Sequence, residues 1–120
     1  MNNKIKIGLI GVGYWGKNIL RNIISSDKTE IACVCDNDVD LARERLETHG
    51  LLGKVKIYND VSEFMKRGDV DAVAIATPAG THYELSKISL ENNKHVLVEK
   101  PMCFSPHESE SLIKMAERKN

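Results

Sequence analysis

Short runs of Ile and Val alternate with segments of helical period along this sequence, and this alternation constrains the fold more than any other feature. Five apolar runs predict strands, over residues 4–10, 30–35, 55–58, 71–76 and 95–98. Five segments between and after them predict helices, over residues 14–25, 39–49, 61–66, 81–92 and 105 to about 118. Continuous apolar strands joined by helices indicate a parallel sheet that is covered on both faces. We therefore expect an α/β fold with a doubly wound sheet and the strand order 3-2-1-4-5.

Three of the predicted helices begin with a capping pattern. Asp60, Thr81 and Ser105 are each followed three residues later by a Glu, which is typical of a helix start. Pro106 stands at a first helical position, where its missing N–H costs nothing.

Length and charge narrow the classes of partner. The chain has 120 residues, the size of one domain. It carries 17 Lys and Arg against 17 Asp and Glu, with no basic run longer than two, so a nucleic-acid partner is not expected. No apolar run approaches the roughly 20 residues that a membrane span needs, and no signal peptide is indicated.

The cysteine count argues against a disulfide framework and a zinc site. Cys33 and Cys35 are two residues apart on one predicted strand, so they share a face and are poorly placed to bond to each other. With Cys103 they make an odd number, and no group of Cys and His completes a metal site. Free thiols in a reducing cytoplasm are the expectation.

A glycine motif follows the first strand and opens the first helix. Gly11, Gly13 and Gly16 form a G-x-G-x-x-G pattern, in which the first glycine permits a tight turn, the second lets a pyrophosphate approach and the third allows close helix packing. The pyrophosphate would lie on the free N–H groups of the helix start. Tyr14 and Trp15, within the motif, either border the cofactor or pack against the protein.

An acidic residue in the expected place strengthens this interpretation. Asp36 ends the second strand, 20 residues after Gly16, where a carboxylate accepts hydrogen bonds from the adenosine ribose. It would repel a 2′-phosphate, and the next residues, Asn37 and Asp38, supply no Arg to bind one. The pattern therefore predicts NAD rather than NADP. The alternative is an ordinary glycine turn, with Asp36 merely capping the next helix.

Two further loops begin at the carboxyl end of the predicted sheet, where ligands of such sheets bind. Thr77 and Pro78 follow the fourth strand, and His82 begins the next helix, either beside the ligand or in a local hydrogen bond. Glu99, Lys100 and Pro101 follow the fifth strand. They form either part of the site or a surface ion pair, and the Lys100–Pro101 bond can be cis or trans.

Four blocks of the sequence together resemble the Gfo/Idh/MocA family of oxidoreductases. They are GVGYWGKN (residues 11–18), CDND (35–38), ATPAGTHYEL (76–85) and VEKPM (98–102), and they occur in the order of the family. The wording GYWGKN is also similar to that of members that act on nucleotide-linked sugars. Family members use a nicotinamide cofactor to oxidise or reduce a carbinol carbon of a sugar, an inositol or a related compound.

The resemblance implies roles for individual residues. The glycines would hold the pyrophosphate, Asp36 the adenosine ribose and Glu99 the nicotinamide-side ribose. Lys100 would be the catalytic residue, hydrogen-bonded to the reacting hydroxyl of the substrate. The residues expected to bind NAD are Gly11, Val12, Gly13, Tyr14, Trp15, Gly16, Asp36, Asn37, Thr77, Pro78, His82, Glu99, Lys100 and Pro101.

The resemblance also implies what the chain lacks. Family members carry a second, C-terminal substrate domain, so residues 1–120 are expected to be the NAD-binding Rossmann domain alone and inactive in isolation. The alternatives are a non-catalytic nucleotide-binding module, a split subunit completed by another chain, or an inactive fragment. We expect a cytoplasmic protein with a sugar-like small-molecule substrate. We also expect a homo-oligomer, since the last strand would expose an apolar edge.

Overall fold

Strands and helices alternate in the structure, a computed structural model that describes residues 3–119. The strands are β1 (Ile5–Ile10), β2 (Thr29–Cys35), β3 (Lys56–Tyr58), β4 (Ala72–Ile75) and β5 (His95–Val98). The helices are α1 (Tyr14–Ser25), α2 (Val39–Thr48), α3 (Val61–Arg67), α4 (His82–Glu91) and α5 (Pro106–Lys119), with a 3₁₀ turn at Ala79–Thr81. The predicted elements are confirmed, since no boundary moves by more than one residue.

The five strands form one parallel sheet in the order β3-β2-β1-β4-β5, which confirms the predicted fold class. β1 is central because its apolar residues can be buried on both faces. Its Leu9 lies between Val34 of β2 and Ala74 of β4, and all three are almost completely buried.

The two faces of the sheet are covered by different helices. On one face Leu9 and Val34 pack with Leu20 of α1 and Leu46 of α2. The residues that alternate with them point to the other face, where they pack with Phe64 of α3 and with α4. The chain is therefore doubly wound, as predicted.

The carboxyl ends of four strands lie at the same level. Ile10 is in register with Cys35 and with Ile75, and Ile75 is in register with Val98. The hydrogen bonds between the strands continue for one more residue. The N–H of the first residue after each of these strands donates to a carbonyl of the neighbouring strand, as from Gly11 to Cys35 (2.8 Å). Four loops therefore start side by side at one edge of the sheet.

Two of the three predicted helix caps are confirmed, and the third is wrong. The carboxylate of Asp60 accepts from the N–H of Ser62, and the hydroxyl of Ser105 accepts from the N–H of Glu108. The expectation for Thr81 is wrong, since its side chain makes no cap bond to α4. Its hydroxyl is held instead within the preceding loop, because a 3₁₀ turn carries the chain into the helix there.

Among residues 3–119 the sheet ends at β5, whose outer edge pairs with no other strand. Leu97 on this edge is 63% exposed, and Phe104 and Ile113 nearby are also exposed. An apolar groove of about 410 Å³ runs between β5, α4 and α5.

The Lys100–Pro101 peptide bond just beyond β5 is cis. No helix within the described part of the chain has the length and apolar character to cross a membrane.

Two of the three free cysteines belong to the core. Burial, with a smaller contribution from the neighbouring Cys35, raises the pKa of the Cys33 thiol to about 12. Burial and the negative charge of Asp36 raise the pKa of the Cys35 thiol to about 11. Both groups stay protonated at neutral pH, so they are poor nucleophiles as well as inaccessible ones. Cys103 is only partly buried.

We expect the native chain to react with iodoacetamide at pH 8 at Cys103 alone, because alkylation requires an accessible thiolate. In denaturant all three cysteines should react. Mass spectrometry of the modified peptides over time measures both rates. Native labelling of Cys33 or Cys35 as fast as that of Cys103 would contradict the described packing.

Candidate functional site

The loop between β1 and α1 is wound so tightly that side chains are excluded from two of its positions. Gly11 has φ of +94°, and a Cβ there would lie 2.7 Å from the carbonyl oxygen of Ala76. A Cβ on Gly16 would overlap the carbonyl oxygen of Gly11. Two of the three glycines of the motif are therefore required by the protein's own backbone.

The third glycine faces open space. A Cβ on Gly13 would have no protein atom within 4 Å, so the chain itself does not require glycine there. Gly13 begins α1 without a side-chain cap, and the first turn carries no acidic residue. The N–H groups and the positive end of this helix are therefore available to an anion that approaches over Gly13.

Asp36 joins the end of β2 to this loop. Its Oδ2 accepts a hydrogen bond from the N–H of Val12 (2.9 Å), and its Oδ1 accepts one from the N–H of Asp38 (2.8 Å). A carboxylate has about four acceptor positions, so both oxygens can accept further bonds. Asp38, not Asp36, caps α2, since its own carboxylate accepts from the N–H of Leu41 (3.0 Å). The interpretation of Asp36 as a mere helix cap is therefore excluded.

Arg45 is a site residue that the sequence did not reveal. Arg45 lies in the last turn of α2, and its Nε donates to the carbonyl oxygen of Val12 (3.0 Å). Val12 is therefore held at its N–H by Asp36 and at its C=O by Arg45. The partners are 33 residues apart, and nothing in the local sequence around Arg45 distinguishes it from the other charges of α2.

These loops surround a cleft of about 510 Å³ at the carboxyl edge of the sheet. Six of the residues predicted to bind the cofactor line it, namely Gly11, Gly13, Asp36, Asn37, Thr77 and Pro78. Apolar side chains that the sequence did not single out complete the walls, among them Leu41, Val61 and Leu85. A cleft with apolar walls and one carboxylate suits a planar base attached to a ribose.

The wall after β4 is held by hydroxyl groups. Thr81 Oγ1 donates to the carbonyl oxygen of Pro78 (2.7 Å) and lies 2.6 Å from Thr77 Oγ1. Because the single proton of Thr81 goes to Pro78, the Thr77 hydroxyl is the donor between the two threonines. Thr81, another residue that the sequence prediction missed, keeps Thr77 and Pro78 in place at the cleft.

The remaining predicted residues lie around the cleft rather than in its lining. Val12 and Gly16 are buried behind the glycine loop. Tyr14 and Trp15 are 68% and 62% exposed, with ring centroids 5.0 Å apart in an edge-to-face arrangement. Side chains this exposed do not pack into the core of the domain, and a position bordering the cofactor stays a prediction for both.

The loop after β5 holds the last predicted residues. Glu99 is half-buried, whereas Lys100 and Pro101 are exposed. The ion pairs within residues 3–119 are Lys6–Asp69 and Arg67–Glu63, so Glu99 and Lys100 do not pair with each other there. His82 is 2% exposed and contacts backbone carbonyls on both sides of its ring.

Within residues 3–119 no three His, Cys, Asp or Glu side chains are grouped closely enough to hold an ion.

The fold and the cleft define a class of protein. A parallel sheet of order 3-2-1-4-5, a glycine loop opening α1 and a carboxylate at the end of β2 together form a dinucleotide-binding Rossmann domain. Residues 5–120 match the Gfo/Idh/MocA family, described as an oxidoreductase family with an NAD-binding Rossmann fold. The chain belongs to this family and is its NAD-binding domain.

The curated relatives of the chain carry names that describe different reactions. It is 29% identical over 117 residues to inositol 2-dehydrogenase of Salmonella typhimurium, an alignment that covers 97% of the chain and 34% of the relative. It is 30% identical over 123 residues to a glycosyl hydrolase family 109 protein of Shewanella pealeana, covering 95% of the chain and 26% of that protein.

Solved structures with the same fold include dehydrogenases of nucleotide sugars. The WlbA dehydrogenase of Bordetella pertussis, in complex with NADH and UDP-GlcNAcA, superimposes with a TM-score of 0.86 at 25% identity, over 98% of this chain and 35% of that one. UDP-N-acetylglucosamine 3-dehydrogenase GnnA of Acidithiobacillus ferrooxidans gives 0.83 at 27% identity, over 97% and 34%. The chain thus spans about a third or less of the length of these proteins.

We expect Gly16→Ala and Gly13→Ala to affect different properties. Alanine at position 16 overlaps the Gly11 carbonyl and should lower the free energy of unfolding by about 2–3 kcal/mol, a typical cost of overpacking. Alanine at position 13 meets no protein atom and should cost under about 1 kcal/mol.

Chemical denaturation followed by circular dichroism measures both variants. The loop geometry would be wrong if the two substitutions destabilised the chain equally. In the same pair, NADH binding should be weakened by Gly13→Ala despite normal folding, because the methyl group occupies the open face.

Proposed function

We propose that this NAD-binding domain serves a hydride transfer between NAD and a carbinol or keto carbon of a sugar, a nucleotide sugar or an inositol-like compound. The observation that carries the proposal is the Asp36 carboxylate, which is fixed to Val12 of the glycine loop and lines the same cleft as Thr77 and Pro78. The two backbone N–H groups that Asp36 accepts from leave its oxygens with further acceptor positions for ribose hydroxyls.

The residues of the cleft fit the parts of the cofactor. The open face over Gly13 and the uncapped start of α1 suit the pyrophosphate, and Asp36 suits the two ribose hydroxyls. The same carboxylate disfavours a 2′-phosphate. Asn37 lies at the adenosine end, and Leu41 and Val61 offer apolar contacts to the base. When bound, nicotinamide supplies the hydride acceptor or donor of the reaction.

Lys100 is our candidate for the residue that handles the proton. Its side chain is exposed, and it stands just beyond β5, one strand further from Asp36 than the Thr77 loop. In the oxidation direction a neutral lysine amine can accept the hydroxyl proton while the hydride leaves the carbon. In the reduction direction the ammonium group stabilises the negative charge that develops on the carbonyl oxygen as the hydride arrives, and it returns the proton. Glu99, next to it, is the candidate partner of the nicotinamide-side ribose.

The substrate class rests on the relatives. Inositol 2-dehydrogenase and the nucleotide-sugar dehydrogenases are named for polyhydroxylated substrates, and this chain covers only 34–35% of the length of each. We infer that most substrate contacts come from a further domain. The exposed apolar edge at β5 supports assembly with a second copy or with such a domain, and the free thiols suit a reducing cytoplasm.

Asp36→Ala should weaken NADH binding about 10- to 100-fold, because charged hydrogen bonds of this kind contribute about 1.5–3 kcal/mol. Isothermal titration calorimetry of the 120-residue chain with NADH and with NADPH measures the affinities. The variant should also lose its preference for NADH, since the repulsion of the 2′-phosphate is removed.

Asp27→Ala is the matched control, since Asp27 is exposed between α1 and β2, at the other edge of the sheet. It changes the net charge equally and should bind NADH like the original chain. Equal effects of the two variants would remove Asp36 from the proposed site.

Lys100→Ala should leave NADH affinity within about twofold but reduce turnover about 1,000-fold, in the range expected when a general acid–base group is lost. The rate is measured in a polypeptide that joins this domain to a substrate domain. Lys114→Ala, on the exposed face of α5, is the control and should be fully active. Turnover of Lys100→Ala within a few-fold of the control would exclude Lys100 from the chemistry.

A further inference from the structure

His82 connects two loops that come from different strands. Its Nδ1 lies 2.6 Å from the carbonyl oxygen of Pro101, in the loop after β5. Its Nε2 lies 2.8 Å from the carbonyl oxygen of Thr77, in the loop after β4. The ring is 2% exposed, so water does not compete for either contact. The sequence predicted a site residue or a local hydrogen bond at this position, and one of the two contacts spans 19 residues.

The other buried polar side chains of α4, Ser86 and Ser89, make no hydrogen bond to another strand, helix or loop within the described residues. Ser89 donates to the carbonyl of Leu85 in its own helix, and Ser86 Oγ has no hydrogen-bond partner within the described residues. The two contacts of His82 leave the helix altogether. Hydrogen bonding within α4 therefore does not account for the histidine.

The contact between His82 and Pro101 also fixes the backbone on one side of Lys100. At one end of the short loop, the N–H of Glu99 donates to Ile75 (3.0 Å) and extends the ladder between β4 and β5. At the other end, the Pro101 carbonyl is held by His82. Lys100 lies between these two fixed points, while its own side chain is exposed. The backbone of Lys100 is thus held by a histidine that does not reach the cleft.

We propose that His82 is a positioning residue, whose Nδ1–H donates to the Pro101 carbonyl and fixes the loop carrying Glu99 and Lys100 to the start of α4, beside the Thr77 wall. Both facing groups are carbonyl oxygens, which only accept, and a neutral imidazole has a single N–H. Nδ1 makes the shorter contact, and the proposal requires a proton on that nitrogen. It rests on the proposed function in so far as this loop contacts the nicotinamide half of the cofactor.

Two amide substitutions distinguish the contact of His82 with Pro101 from its contact with Thr77. In His82→Asn the side-chain NH₂ occupies the place of Nδ1 and can still donate to Pro101. In His82→Gln the longer side chain brings its NH₂ to the place of Nε2 and reaches Thr77 instead. The two variants remove the ring equally, so they control for each other. Calorimetry of each with NADH and with ADP-ribose, which lacks nicotinamide, measures the effect on each half of the site.

We expect His82→Asn to bind NADH within about twofold of the original chain and His82→Gln to bind it about tenfold more weakly, the effect of one lost hydrogen bond. ADP-ribose should bind all three chains alike. Equal affinities of the two variants for NADH, or parallel losses for NADH and ADP-ribose, would overturn the proposal, since a purely structural histidine would produce either result.

Long-range ¹H–¹⁵N NMR of the histidine rings tests the hydrogen bond without any ligand. The His82 ring should carry a slowly exchanging proton on Nδ1, whereas a proton on Nε2 alone would refute the assignment. If the original chain bound neither NADH nor ADP-ribose, the proposed function would fail. The NMR result would then still decide whether His82 donates to Pro101.

Discussion

The common level of the strand ends is the constraint on which the rest of this structure depends. Ile10, Cys35, Ile75 and Val98 end their strands in mutual register, and the backbone ladder continues one residue into each loop. Because the strands are parallel, all four loops lie at the same edge of the sheet, where their polar side chains come close together. A slip of one residue would turn every side chain of a strand to the opposite face and remove its loop from the cleft.

Side chains then tie neighbouring loops together. Asp36 and Arg45 hold Val12 of the glycine loop by its N–H and its C=O, from β2 and from α2. His82 lies between the loops after β4 and β5 in a comparable way. Each of these side chains bonds to backbone, whose position is already set by the sheet. Contacts within the domain itself therefore set the positions of the cleft walls.

The half of the domain beyond β4 differs from the half that holds Asp36. Around Asp36, side chains from β2 and α2 hold the backbone of the glycine loop, and apolar residues line the cleft. Around β5, Leu97 and Phe104 are exposed, and an apolar groove lies open beside α5. Lys100 stands at the boundary between these halves.

The sequence by itself determined the order and type of all ten main elements, because the period of its apolar residues changes from strand to helix along the chain. It also predicted that the glycine loop and Asp36 lie at one edge of the sheet, because each directly follows a strand in a short local pattern. Only the tertiary structure decided that Thr81 serves its loop rather than its helix, that Arg45 supports Val12 and that His82 reaches Pro101. These contacts join residues whose proximity is set by strand register and helix packing, and no local pattern in the sequence records that proximity.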